Sequence, residues 1–471
     1  MLRIYLDWNI ISNLKRDENK DLKRFIDQNK DNLLFPYSPA HFKDLMKSYS
    51  PLNIHFNEDL EILKYLSQDH LMIWEDTNVY PKSCDPYEYF ERQKDNFTDI
   101  SIAGIWSSIE EMSNESPMTR GFIDIMKSIF KLIPIGFEIN EQNKTIIEKM
   151  FPGLSPSSSM WDLMQQIPIF GENILKNRDF YLNLRKALGD TGAKIDVNSK
   201  NWRENDVIDN IDLLLTHLGG NITFMESVES IFKFQNKKAN RIEFFMSAYS
   251  MLDMFGYKSD KLPKQTDNFQ NIQTDGEHAF FAAHCDYFVT ADKKLRAKAQ
   301  ALYKKLNIST VILSPNEFIS MLEKGLYTYP NDAHSFIFDA ISFLKKENTF
   351  PISDIYKEFS IPPFSSPPYY CNYFNSACLF KDDKNHIILF CRQNTNYSNF
   401  IFCDEMEVII KSLTTILGLG DEKSLDDILR KFLNSALKTK QIWVINNTHI
   451  ILQFHRETAG LSLIIALQNI E

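Results

Sequence analysis

Three features of this 471-residue chain predict an α/β fold with a parallel sheet flanked by helices. Two short apolar strands, one at the N-terminus and one near residue 288, each end within two residues of an aspartate. The run from Tyr287 to Lys324 reads strand, helix, strand, helix, which is the pattern of right-handed parallel α/β units. Between these halves lies a long, mostly helical stretch, and a separate α+β texture begins after about Tyr329.

The opening segment Arg3-Ile4-Tyr5-Leu6 is a mostly apolar run that stops at Asp7, as expected of a buried parallel strand. Asp17–Asn29 has the spaced apolar face of a helix. Leu33–Tyr37 reads as a second strand, although Pro36 weakens it. Ser38-Pro39 then supplies a cap and a first-turn proline for a helix to Tyr49. Helices are predicted at Glu58–Ser67, Glu88–Glu111, Thr119–Leu132, Asn205–Leu218 and Arg241–Phe255, broken at Pro152–Pro156 and Gly219-Gly220. Thr274 is read as the start of a capped helix to His284, with Asp275 in its first turn. The strand Tyr287–Thr290, the helix Lys293–Lys304, the strand Thr310–Leu313 and the helix Pro315–Lys324 follow. In the C-terminal part, strands are expected at His386–Phe390, Asn399–Cys403, Gln441–Ile445, His449–His455 and Leu461–Leu467. Helices are expected at Glu405–Leu417 and Leu425–Leu437, a tight turn at Asn446-Asn447, and an ordered loop at Ile361–Pro368. The expected organisation is one domain made of 1–48 and 270–325, a helical insertion over 49–269, and an accessory α+β domain over 330–471.

Composition narrows the function. The net charge of −10 argues against a protein that coats nucleic acid without specificity, but not against an enzyme with a carboxylate-rich site. No apolar run reaches the roughly 18–20 residues a membrane helix needs, so no membrane partner is expected. Asp7 and Asn9 interrupt the N-terminal apolar run, which reads as a strand and not a secretory signal. The six cysteines form no CxxC and no zinc spacing. Reduced thiols in a cytoplasmic protein are the simplest expectation.

The chemistry is expected at four acids. Asp7 and Asp292 each follow a strand, and sites of parallel α/β sheets lie outside the carboxyl ends of strands. Asp275 opens the helix before the second strand, and Asp44 lies on the helix after Leu33–Tyr37. Four converging carboxylates repel one another unless a cation such as Mg²⁺ or Mn²⁺ lies between them.

Ile4-Tyr5-Leu6-Asp7-Trp8-Asn9-Ile10-Ile11 resembles the opening of PIN-domain nucleases, an apolar strand followed by Asp-x-Asn. Asp275-Gly276-Glu277-His278-Ala279 and Phe288-Val289-Thr290-Ala291-Asp292 resemble the family's closing half. Tyr37–Leu45 resembles the segment with its second acid, usually Glu and here Asp44. The resemblance covers roughly 100 residues, a single-domain size. It implies a PIN-like sheet split by the insertion, and a hydrolase cutting phosphodiester bonds, RNA ahead of DNA. Asp7, Asp275 and Asp292 would be the principal metal ligands and Asp44 would complete the catalytic set. Asn9, Thr290 and His278 would orient the carboxylates from behind. His278 and His41 could also contact phosphate or leaving group, though a structural role is the plainer reading of both.

Lys293, Lys294, Arg296 and Lys298, with Lys304 and Lys305 beyond, could hold a nucleic-acid backbone; a solvated outer helix face is the equal alternative. Asp286 reads as a turn residue and His284 as a helix C-terminal residue. A toxin-like or phage-defence effector is a setting by analogy, with a protein partner or homo-oligomer open. The competing reading is a non-catalytic binding or scaffold protein on the same fold.

Overall fold

The structure is a computed structural model. It describes every residue except 17–18, 48, 50–53, 95–134, 136–138, 140–143, 189–205, 218–221, 234–237, 263–266, 356–362, 365–366, 394–399, 435–437, 456–459 and 469–471. The predicted helix Thr119–Leu132, the end of Glu88–Glu111 and the break at Gly219-Gly220 lie outside the described residues.

Strands β1 (Leu2–Leu6) and β2 (Leu33–Leu34) come from the start of the chain. Strands β5 (Tyr287–Val289) and β6 (Val311–Leu313) come from nearly 300 residues later. All four join one parallel sheet in the order β2-β1-β5-β6. Ile4, Tyr5 and Leu6 lie opposite Tyr287, Phe288 and Val289. Alternate residues face alternate sides. Tyr5, Phe288 and Ile312 pack into a core shared with the helices Phe269–Ala282, Lys293–Lys305 and Arg241–Met254. Leu2, Ile4, Leu6, Tyr287 and Val289 pack on the other side with the first helices and Pro315–Glu323. Burial on both faces accounts for strands that are apolar at nearly every position.

The stretch between the two halves is not wholly helical. His70–Glu75 (β3) and Asn78–Ser83 (β4) form an antiparallel hairpin. Tyr37 bridges it: its amide donates to the His70 carbonyl at 2.9 Å, and its own carbonyl accepts from Met72 at 2.8 Å. This use of Tyr37 shortens the second predicted strand to two residues. The helix Ile54–Ser67 precedes the hairpin, and helices follow it at Pro86–Gln93, Lys144–Met150, Met160–Lys176, Arg178–Leu188, Val207–His217 and Phe224–Lys233.

The C-terminal sheet has the order β10-β11-β12-β9-β8-β7, with β7 Thr349–Pro351, β8 Ser376–Lys381, β9 Asn385–Cys391, β10 Lys438–Ile445, β11 Thr448–His455 and β12 Gly460–Gln468. It is antiparallel except at β7–β8. Helices Ala333–Ser342, Cys403–Leu417 and Leu425–Leu433 share its core. Asn446 turns the β10–β11 hairpin at φ +53°, a left-handed conformation that Asn tolerates. The predicted strand Asn399–Cys403 is absent over its described residues. The Phe400 carbonyl instead accepts from Arg3 at 2.7 Å, and the Phe402 amide donates to Glu405 at 2.9 Å.

That detail belongs to a buried ion cluster. Arg3 binds both oxygens of Glu405, with contacts of 2.7–3.0 Å. Arg392 bridges Glu405 at 3.2 Å and Asp286 at 2.8 Å. The Arg3 amide closes the ring on Asp286 at 2.8 Å. The C-terminal part of the chain thus reaches the amino ends of β1 and β5 through Glu405 and Arg392. Among the described residues, no helix is long and apolar enough to cross a membrane.

Candidate metal centre

β1 and β5 are neighbours, but the chain builds the sheet away from β1 in one direction through β2 and in the other through β5 and β6. The crevice at such a reversal, outside the carboxyl ends of the strands, is where open parallel sheets bind ligands. Asp7 and Thr290 lie there side by side. The Asp7 amide donates to the Val289 carbonyl, and the Thr290 amide to that of Leu313.

Asp7 is buried, and the Thr290 hydroxyl donates to its Oδ2 at 2.8 Å. The Asn9 amide reaches the same oxygen at a long 3.5 Å. The Asp292 amide donates in turn to the Thr290 hydroxyl at 3.0 Å. Asp292 also caps the Lys293–Lys305 helix, its Oδ1 accepting from the amides of Lys294 and Leu295. In both acids the bonds fall on one oxygen, which fixes the carboxylate and leaves the other oxygen outside these bonds.

Asp44 comes from the Pro39–Lys47 helix and His278 from the Phe269–Ala282 helix, which pack against each other. The His278 Nε2 bonds Asp44 Oδ2 at 2.9 Å, and Lys47 binds Oδ1 at 2.6 Å. Behind His278, its Nδ1 meets the Tyr5 hydroxyl at 2.9 Å, and that hydroxyl meets Ser38 Oγ at 2.7 Å. With Nε2–H donating to Asp44, the ring completes the chain through Nδ1 and the Tyr5 hydroxyl. Both ring nitrogens are then occupied, so His278 holds Asp44 in place and has no lone pair left for a metal. His41 is fully buried between the Ser38 amide and the Leu6 carbonyl, with no exposed surface. Burial and the nearby His278 push its pKa down to about 3.

The predicted ligand trio was Asp7, Asp275 and Asp292. The tightest group among the described residues is Asp7, Asp44 and His278, with ligand atoms within 4.8 Å of one another. Asp275 and Asp292 line the adjoining cleft of about 540 Å³ together with Asp44, Trp8, Asn9, Asp260 and Asp267. Asp275 is not in a first helical turn: its helix starts at Phe269, capped by Asn268, and Thr274 is internal. Mid-helix, Asp275 and His278 share a face, three residues apart. Gly276 lets this helix approach its neighbour, since a Cβ there would come within 3.0 Å of the Tyr249 ring.

The electrostatics suit a cation. Burial raises the pKa of Asp7, helped by the charges of Asp44 and Asp292 and opposed by His278 and Thr290. Burial also raises Asp275 well above the usual range, with Asp7, Asp260 and Asp44 adding to the rise and Lys298 opposing it. Burial works against ionised Asp44 too, but the His278 bond and charge, with Lys47, hold it down to about 2. The buried Tyr249 hydroxyl, which senses the Asp275 charge, has no hydrogen-bond partner among the described residues. Hard oxygen donors and mutual repulsion fit a Mg²⁺ or Mn²⁺ ion.

These shifts carry a prediction. A carboxyl with a raised folded pKa binds protons more tightly folded than unfolded, so its effect on stability worsens as pH rises past the usual carboxylate range. Asp275→Asn in EDTA is therefore expected to melt a few degrees above wild type at pH 7–8, on the order of 1 kcal/mol. The gap should close toward pH 4, and Mn²⁺ should reverse the order by stabilising only wild type. Thermal melts across pH would count against this account if the variant were the less stable protein in EDTA at pH 8.

The basic helix face is corrected in part. Lys298 is fully buried, paired with Asp253 at 3.1 Å and Asp260 at 2.8 Å, so it presents no charge to a nucleic-acid backbone. Arg296 pairs with Glu317, Lys304 with Asp206 and Lys305 with Asp209. Lys294 binds Asp260 at the cleft wall, while Lys293 is exposed. Sequence reading missed Tyr5, Ser38, Asp253 and Asp260. Tyr5 is an apolar-run residue whose hydroxyl carries no signal in one dimension. Comparison with family models, curated proteins and solved structures finds no match to this chain.

Proposed function

We propose that the protein is a divalent-metal-dependent nuclease on a PIN-like sheet, hydrolysing phosphodiester bonds in RNA ahead of DNA. The observation that carries this reading is convergence. Asp7, Asp44, Asp275 and Asp292 come from four separate segments and gather at or beside one cleft outside the strand ends. Mg²⁺ or Mn²⁺ held there would polarise the phosphate and lower the pKa of a bound water. Asp7 and Asp292 would each offer the carboxylate oxygen left outside its fixing bonds, and Asp275 would close the site from the helix side. Thr290 keeps Asp7 and Asp292 in register by bonding both. Tyr5 and His278 keep Asp44 aimed at the same point.

A scaffold reading has one observation in its favour, the engagement of both Asp44 oxygens by His278 and Lys47. The test is a panel of structured RNA, single-stranded RNA and DNA with Mn²⁺ or EDTA, beside Mn²⁺ calorimetry. Cutting with Mn²⁺ that stops in EDTA and in Asp292→Asn is the expected result. No cutting and no Mn²⁺ binding would leave the scaffold reading standing.

A further inference from the structure

The cleft is acidic, and a polyanionic substrate needs a cation at its mouth. Three lysines line it. Lys47 is taken by Asp44, and Lys294 by Asp260. Lys261 is exposed and pairs with no carboxylate among the described residues.

Its position is built by the residues on either side. Asp260 is bound by Lys294 at 3.1 Å and by buried Lys298 at 2.8 Å, and its amide donates to buried Asp253 at 2.9 Å. Arg185 binds both Asp253 and the Asp260 carbonyl. On the other side Leu262 is buried at a left-handed φ of +46°, and its carbonyl accepts from Arg178 Nε at 2.6 Å. A loop tied down at both neighbours presents the residue between them to the cleft. Trp8 and Asn9, beside Asp7, form another part of the lining.

We infer that Lys261, held between Asp260 and Leu262 by the insertion, is the substrate-phosphate contact of the cleft, so the insertion supplies a fixed binding wall. This rests on the nuclease reading above. It also relocates the basic contribution from the outer helix face to a loop that resemblance to the nuclease family does not cover.

The experiment measures KM and kcat on a short fluorescein-labelled single strand of RNA, and of DNA with the same sequence, in Mn²⁺. Lys261→Gln should raise KM about three- to tenfold with kcat nearly unchanged, and should lower the salt slope of log KM by about 0.7 between about 50 and 200 mM salt. Lys261→Arg should restore most of it, and calorimetry should give the variant wild-type Mn²⁺ affinity. Arg178→Ala, which frees the Leu262 carbonyl and the exposed Asp179 carboxylate, should raise KM in the wild-type background and add nothing to Lys261→Gln. If Lys261→Gln matches wild type in KM and salt slope while wild type cuts, this inference falls and the nuclease reading stands. A wild type that neither cuts nor binds Mn²⁺ overturns both.

Discussion

Asp7→Asn is expected to reduce cleavage about 10³-fold or more while leaving the fold intact. On the nuclease reading Asp7 would be a metal ligand. A ligand charge that helps stabilise a developing phosphate transition state contributes several kcal/mol, and roughly 4 kcal/mol is about three orders of magnitude in rate. The fold should survive because Asn keeps the shape of Asp and can still accept the Thr290 hydroxyl. Burial already disfavours the ionised form of Asp7, so a neutral side chain removes a cost instead of adding one. Thr290→Val provides the graded control: it leaves the ligand and removes only the bond that aims it, for which about 10–100-fold is typical. Single-turnover rates at saturating Mn²⁺ would contradict this account if Thr290→Val were as inactive as Asp7→Asn, or if Asp7→Asn cut at the wild-type rate.

Glu405→Gln is expected to be the most destabilising single change among the buried polar groups, by about 3–5 kcal/mol. It would leave Arg3 and Arg392 buried against one remaining carboxylate, Asp286, with side-chain exposures of 7% or less throughout. Burial works against the charge on Glu405, but Arg3 and Arg392 outweigh it and hold its pKa down to about 2. A depressed folded pKa stabilises above the usual glutamate range, and that stability is lost as pH falls through it toward 2. Arg3→Met with Glu405→Leu restores neutrality and should recover much of the loss, because a well-packed apolar pair can replace a buried ion pair. Urea unfolding, with limited proteolysis to follow release of the C-terminal sheet and its helices, decides it. An unchanged midpoint for Glu405→Gln would sink the idea.

The strand ends were legible in the sequence because a short apolar run that stops at an acid marks where a buried strand leaves the sheet and meets solvent. That located Asp7, Asp292 and the strand β5 within one or two residues. Helix starts were less legible. Asn268 and Thr274 are both good capping residues, and only the fold decides that Asn268 begins the helix and that Asp275 is internal. The hairpin at His70–Ser83 was missed because its run Leu71-Met72-Ile73-Trp74 lacks strict alternation. Lys298 looked like surface charge because it sits among other lysines. Its acid partners, Asp253 and Asp260, lie about 40 residues earlier in the chain and have no local signature. The same holds for Arg3 and Glu405, separated by 402 positions.

Strand β1 is held at both ends by different parts of the protein. Arg3 sits in the grip of the C-terminal domain, and Asp7 stands beside the cleft four residues further on, roughly 13 Å at strand rise. An extended strand paired with β2 at Leu2 and Arg3 and with β5 from Ile4 to Leu6 hardly stretches between its ends. On the nuclease reading, the C-terminal sheet and its helices would thus be coupled to the Asp7 site in series along β1, from the end of the strand opposite the cleft. On that reading, loosening the hold on Arg3 would reach Asp7 as a loss of aim.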